Sequence, residues 1–260
     1  MDTNPNLQYL ETAHCVADSA RNIARQWFRR SFDIRIKADG SPVTTADVEV
    51  ESAARSVILE RHPEHRFFGE ETGHSGRSRE WMWIVDPIDG TRSFVTGKPT
   101  FGTLIALLHR GVPIIGIIDQ AVLDERWVGI AGSPTTLNGN PCSTSRIPRL
   151  CKARLCITTP DMFDSIQKEK VNALSERCSF RTFGGDCYNY GLLASGYSDL
   201  ICEADLKPYD YCAMVPIIEG AGGTITDWQG KALGVDSSGE VVAAASRTLH
   251  EEALSVLNRQ

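Results

Sequence analysis

Basic character is scarce in this 260-residue chain: 27 Lys and Arg stand against 33 Asp and Glu, leaving a formal charge of −6. No basic run is longer than Arg29-Arg30, so the sequence offers no basic face to displace counterions from a phosphate backbone, which disfavours a nucleic-acid binder and leaves room for a locally basic pocket for a small anion. Long apolar runs are missing too. None approaches the ~18 residues a membrane span needs, so no membrane partner is expected. The opening MDTNPNLQYLETAHC has neither the basic start and apolar run of a secretory signal nor the Arg- and Ser-rich character of a transit peptide. The expected compartment is the cytoplasm, or a plastid stroma if a transit peptide has been removed. Eight cysteines form no C-x-x-C pair and read as reduced, buried small hydrophobes. The six histidines show no ligand spacing and read as surface residues. There is no repeat and no low-complexity stretch.

The remainder is an ordinary globular composition, 42% hydrophobic and 23% charged, able to bury one large core or two modest ones. Leu7, Leu10, Ala13, Ala17, Ala20, Ile23, Ala24 and Trp27 repeat at helical spacing. FDIRIK reads as a strand, and a second amphipathic helix starts at Thr44 and stops at Pro63. From residue 67 short strands dominate, with a hairpin turning at His109-Arg110-Gly111. Residues 209–223 read as one helix, and Trp81 and Trp83 as core. Helices with mostly antiparallel strands and no regular βα alternation give a layered α+β class. The Gly/Ser/Pro-rich 132–150 segment is the candidate linker.

Carboxylates carry the chemistry. In Trp83-Ile84-Val85-Asp86-Pro87-Ile88-Asp89-Gly90-Thr91 an apolar strand is expected to end on Asp86, with Pro87 forbidding its continuation. A lone D-x-x-D can simply shape a turn. Glu70-Glu71, however, follows another strand in the same way, and acids gathered at neighbouring strand ends need a cation or raised pKa values. Oxygen donors on tight turns suit Mg²⁺. Free amides at Gly90 and Thr91, opening a helix, suit an anion. Asp47, in Thr44-Thr45-Ala46-Asp47, fits a capping box as well as a site role. Asp210, in Lys207-Pro208-Tyr209-Asp210, fits an N-terminal helix acid.

Together Gly69-Glu70-Glu71, Asp86-Pro87-Ile88-Asp89-Gly90-Thr91, and Tyr209-Asp210 followed by Glu219-Gly220-Ala221-Gly222-Gly223 resemble the inositol monophosphatase family. The resemblance implies an α-β-α-β-α sandwich, a homodimer, and two or three Mg²⁺ ions per site. Glu70, Asp86 and the Ile88 carbonyl would hold one ion; Asp86, Asp89 and Asp210 would hold another, with Glu70 able to steer a third. Thr91, bonded to Asp47, would orient a water for attack on phosphorus, while the Gly90 and Thr91 amides hold the phosphate. Residues 1–140 would form an N-terminal α+β lobe with most ligands. Residues 141–260 would form a C-terminal α/β lobe with substrate-binding residues and the last ligand. Lys37 and Asp39 lie in a Lys-x-Asp-Gly-Ser-Pro loop that could act as a lid.

The stretches Thr91-Arg92-Ser93-Phe94, Gly184-Gly185-Asp186-Cys187-Tyr188-Asn189-Tyr190 and Asp205-Leu206-Lys207-Pro208-Tyr209-Asp210-Tyr211 resemble the histidinol-phosphate phosphatase branch, which acts in histidine biosynthesis. The resemblance puts Asp186 and Glu203 at substrate-contacting positions, where carboxylates suit an ammonium and an imidazolium. Asp186 as a helix cap and Glu203 as an exposed strand-end acid are the bland alternatives. The expected activity is hydrolysis of L-histidinol phosphate. Inositol 1-phosphate, a nucleotide 3′-phosphate, or a silent metal- or phosphometabolite-binding role are the competing readings.

Overall fold

The structure, a computed structural model, describes residues 6–259 apart from Asp39. The side chains of Asn6 and Leu7 are also outside the described residues, so the expectations placed on Leu7 and Asp39 lie outside them. The elements follow in the order α1 (Asn6–Trp27), β1 (Ile34–Ile36), β2 (Pro42–Thr44), α2 (Thr45–Arg61), β3 (Arg66–Gly69), β4 (Gly73–Ser75), β5 (Trp81–Asp89), α3 (Thr91–Val95), β6 (Gly102–His109), β7 (Val112–Gln120), β8 (Glu125–Ile130), β9 (Thr136–Leu137) and β10 (Asn140–Pro141). The second half adds β11 (Arg154–Ile157), α4 (Ser165–Ser175), β12 (Phe180–Phe183), α5 (Tyr188–Ala194), β13 (Leu200–Glu203), α6 (Pro208–Tyr211), α7 (Met214–Gly220), β14 (Thr224–Thr226), β15 (Val241–Ala244) and α8 (Arg247–Leu257).

Strands β3 to β10 form an eight-stranded sheet in the order β10-β9-β8-β7-β6-β5-β3-β4, and β11 to β15 a five-stranded sheet in the order β12-β11-β13-β15-β14. Helices α1 and α2 bury Ala13, Ala17, Ala54 and Ile58 against Trp83, Val85 and Ile105 on one face of the larger sheet. Tyr190, Ile217 and Ile218, from α5 and α7, fill the space between the sheets together with Ile84, Leu104, Ile201 and Ala243. Val171, Leu249 and Ala253, from α4 and α8, cover the far face of the smaller sheet with Leu155, Leu200 and Val242. The result is the α-β-α-β-α sandwich. No helix of the described residues is long and apolar enough to cross a membrane.

Several local expectations need correction. β5 does not stop at Asp86 but runs through Pro87 to Asp89, with a register shift against β6 between Asp86 and Asp89. Such an irregularity spares Pro87 the ladder bond its missing N–H could not make. Its carbonyl still accepts the Thr103 hydroxyl at 2.8 Å. The single helix expected over 209–223 is two, α6 and α7. Strand pairing is mostly antiparallel, as expected; β3–β5, β11–β12 and β11–β13 are the parallel pairs among the described residues.

Not all histidines lie at the surface: His65 and His250 are buried. Trp83 Nε1 donates to His65 Nδ1 at 3.1 Å, and burial, with His62 adjacent, lowers the His65 pKa to about 4. All eight cysteines are free, and Cys151 is exposed rather than buried. Trp83 is core and Trp81 only half-buried.

Candidate active site

Parallel pairing aligns Gly69 with Val85, and the Glu70 amide donates to the Val85 carbonyl at 3.3 Å. The acids after β3 and those ending β5 therefore leave the sheet at one edge. α6 brings in Asp210, and one carboxylate oxygen from each of Asp86, Asp89 and Asp210 lies within 4.8 Å of the others. Asp86 Oδ1 is buried without any hydrogen-bond partner, an arrangement that calls for a cation or a proton. Burial, with Glu70, Asp89 and Asp210 adding like charge, raises the Asp86 pKa well above the carboxylate range. Burial and the charges of Asp186 and Asp210 do the same to Asp89. Asp210 is pushed up to about 7 by burial, which outweighs the stabilising Lys207 amide. That amide donates to Asp210 Oδ2 at 2.7 Å, so Asp210 is both an N-terminal helix acid and a member of the cluster.

Glu70 stands beside this cluster and is engaged by Lys37, whose Nζ lies 2.8 Å from Glu70 Oε1 and 2.7 Å from Glu71 Oε1. Burial works against the Lys37 charge, but the two carboxylates outweigh it and raise its pKa.

Asp47 also satisfies both readings. Its Oδ2 accepts the Thr44 amide at 2.8 Å and the Thr44 hydroxyl at 2.5 Å, completing the capping box of α2, a device worth about 1 kcal/mol. Its Oδ1 lies 3.2 Å from Thr91 Oγ1, which is also 3.1 Å from the Ile88 carbonyl. Burial raises the Asp47 pKa. Gly90, the N-cap of α3, adopts φ +82°, and a Cβ there would sit 2.8 Å from the Asp186 carboxyl, so only glycine fits.

Asp186 does not cap α5; Cys187 holds the N-cap position, with no side-chain cap bond. Instead Asp186, at φ +47°, accepts the Ser93 hydroxyl at 2.6 Å. Its neighbour Cys187 donates its amide to Asp89 Oδ2 at 2.6 Å. Glu203 is not an exposed strand end but is 3% exposed. It accepts the Thr158 amide at 3.1 Å, the Thr158 hydroxyl at 2.5 Å and the Tyr190 hydroxyl at 2.8 Å. Burial raises the pKa values of both Asp186 and Glu203. A cavity of about 50 Å³ lies among Asp89, Asp186, Glu203, Asp210, Thr158 and Tyr190. A larger groove, about 850 Å³ with Arg66, Arg79 and Lys231 in its walls, holds none of the clustered acids.

Thus Asp47, Asp86, Ile88, Asp89, Gly90, Thr91, Asp186 and Asp210 are joined by direct contacts or the shared cluster, and Glu203 reaches the same cavity. Ser93, Thr158, Tyr190 and the Cys187 amide were not legible as site residues, since each is polar in a way any loop or helix would allow.

The sequence model of the inositol monophosphatase family matches residues 6–260. The chain belongs to the inositol monophosphatase family. Among family relatives, the chloroplastic bifunctional phosphatase IMPL2 of Arabidopsis thaliana is 46% identical over 96% of this chain and 75% of its own length. The histidinol-phosphatase of Chlorobaculum parvum is 34% identical over 90% of this chain and 91% of its own. A solved inositol monophosphatase from Zymomonas mobilis overlays with a TM-score of 0.90 at 43% identity, covering 99% of this chain and 100% of that one. The family fold is therefore the fold of this chain.

Proposed function

We propose that this member of the family is a divalent-metal-dependent phosphomonoesterase that prefers L-histidinol phosphate. The observation that carries the metal is the buried, unpartnered Asp86 Oδ1 within the Asp86, Asp89 and Asp210 cluster. An all-oxygen donor set favours Mg²⁺. Glu70, Asp86 and the Ile88 carbonyl would hold one ion, and Asp86, Asp89 and Asp210 a second, with Glu70 available to a third. Bound Mg²⁺ would neutralise phosphate charge and acidify a water.

The chain's own residues do the rest. Asp47 engages the Thr91 hydroxyl, which keeps oxygen lone pairs for orienting the attacking water. The amides of Gly90 and Thr91, opening α3, hold the phosphate. In this reading residues 1–140 contribute most ligands, and residues 141–260 contribute Asp210 and the substrate wall. A homodimer, testable by sedimentation, belongs to the same reading. So does a cytoplasmic or plastid-stromal location; the Arabidopsis relative is chloroplastic by name.

Asp186 and Glu203 carry the substrate preference. Three hydrogen bonds reach Glu203, and an ionised carboxylate offers about four acceptor sites, leaving one for a substrate N–H. An ammonium or imidazolium would favour the ionised forms that burial disfavours, whereas an uncharged polyol gains little. Inositol 1-phosphate is the second reading, favoured by the 43% identity to the Zymomonas inositol monophosphatase.

Phosphate release from both substrates, with Mg²⁺ and then with chelator, tests the proposal. Fast, metal-dependent hydrolysis of histidinol phosphate alone supports it. The reverse preference rejects the substrate, and turnover in chelator rejects the metal. Asp186→Ala is expected to lower activity on histidinol phosphate much more than on a generic aryl phosphate; equal losses would refute its selectivity role.

A further inference from the structure

Helix α2 turns two carboxylates toward the site. Glu51 follows Asp47 by four residues, hence on the same face, and is likewise 0% exposed. Its Oε2 accepts the Glu71 amide at 2.7 Å, and its Oε1 accepts the Thr72 amide at 2.8 Å and the Thr72 hydroxyl at 2.5 Å. Among the described residues no basic side chain pairs with it. Every partner thus belongs to the two residues after Glu70. On the other side of Glu70, a Cβ at Gly69 would lie 2.3 Å from the Glu51 carboxyl carbon, so the end of β3 rests directly on this group.

A buried, unpaired charge is costly unless hydrogen bonds hold it. All three groups facing Glu51 are donors, so an amide of the same shape would turn its NH₂ toward at least one of them. The acceptor-only carboxylate is therefore matched to the turn. We propose that Glu51 is a positioning residue: it clamps the 69–72 turn from both sides of Glu70 and thereby presents the Glu70 carboxylate to the cation-binding cluster. The inference rests on the reading of Glu70 as a metal ligand.

Mn²⁺ serves as the probe metal, its binding to wild type, Glu51→Gln and Thr72→Val read by calorimetry and by loss of the free-ion EPR signal, with thermal melting alongside. Glu51→Gln is expected to weaken Mn²⁺ binding about 10–100-fold, as loss of a ligand-orienting partner does. Thr72→Val, at an exposed residue, removes one donor and is expected to weaken it about 2–10-fold. A merely structural Glu51 would lower the melting temperature and leave the affinity of the folded protein alone. Wild-type affinity in both folded variants overturns the proposal, and if Glu51→Gln does not fold, Thr72→Val decides. Absence of Mn²⁺ binding by wild type, or unchanged binding by Asp86→Asn, overturns the metal site itself and the clamp with it.

Discussion

Asp199 and Asp86 are both buried aspartates, 0% and 2% exposed, in opposite surroundings. Asp199, just before β13, receives Arg154 as a fork, with Nε 2.7 Å from Oδ2 and Nη2 2.9 Å from Oδ1. The Arg154 amide and the Ser145 hydroxyl complete the shell. Burial alone would raise its pKa, but the Arg154 guanidinium, the Ser145 hydroxyl and the Arg154 amide together more than cancel this and hold it below its ordinary value. Asp86 faces Glu70, Asp89 and Asp210, and one of its oxygens has no partner. Where the chain needs a quiet buried acid, it supplies the cation itself. At the end of β5 it gathers acids and supplies no cation of its own, the place the proposed metal would take.

The sharpest way to break this contrast is Asp86→Asn. Hydrolysis is expected to fall about 10³-fold, roughly 4 kcal/mol of transition-state stabilisation, while melting in chelator does not decrease, because an acid whose burial and like-charged neighbours oppose ionisation is replaced by a neutral group of the same shape. An unchanged rate in a phosphate-release assay would sink the assignment. Asp199→Asn is expected to behave inversely, costing about 3 kcal/mol of stability by denaturant titration with little effect on turnover per folded molecule. That figure is the low end for a broken buried pair, since the Arg154 side chain is 34% exposed.

Mg²⁺ at 100-fold over its Kd should stabilise wild type by about 2.7 kcal/mol. The same gain is expected in Asp199→Asn and is lost in Asp86→Asn, as scanning calorimetry can read.

The smallest effect is one of pH. Without metal, Asp210, raised to about 7, binds its proton more tightly in the folded chain than in the unfolded one. Its contribution is therefore full below the ordinary carboxylate pKa of ~3.9 and is lost as pH rises through about 7. Asp199, depressed, contributes above ~3.9 and loses its contribution as pH falls. Melting in chelator should thus improve from pH 8 to pH 6, and Mg²⁺ should abolish that trend.

The acidic strand ends were legible because Glu70, Asp86 and Asp89 lie in short motifs whose spacing already placed them at turns. The layered α+β class followed from helical and alternating periodicities, and the order of the layers from the family resemblance. What escaped notice depended on contacts that spacing does not encode. Pro87 is tolerated because the ladder is irregular there, and α6 separates from α7 although the apolar pattern runs on. His65 and His250 found polar partners inside the core, at Trp83 and Thr226. Glu203 is buried only because Thr158 and Tyr190 meet it, one 45 and the other 13 residues away. Glu51 did leave a signal, its four-residue spacing from Asp47 at a helix start, but a helix face carries such pairs for many reasons.

The bond from the Cys187 amide to Asp89 joins residues 98 apart, and Ser93 meets Asp186 across 93. During synthesis, therefore, the acids of β5 leave the ribosome long before the segments that fix Asp89 and deliver Asp210. Contacts of such range form slowly, and either half of the chain alone lacks the assembled cluster. Hydrolytic competence is thus acquired late, so recovered activity during refolding reports completion of the whole chain rather than formation of either sheet.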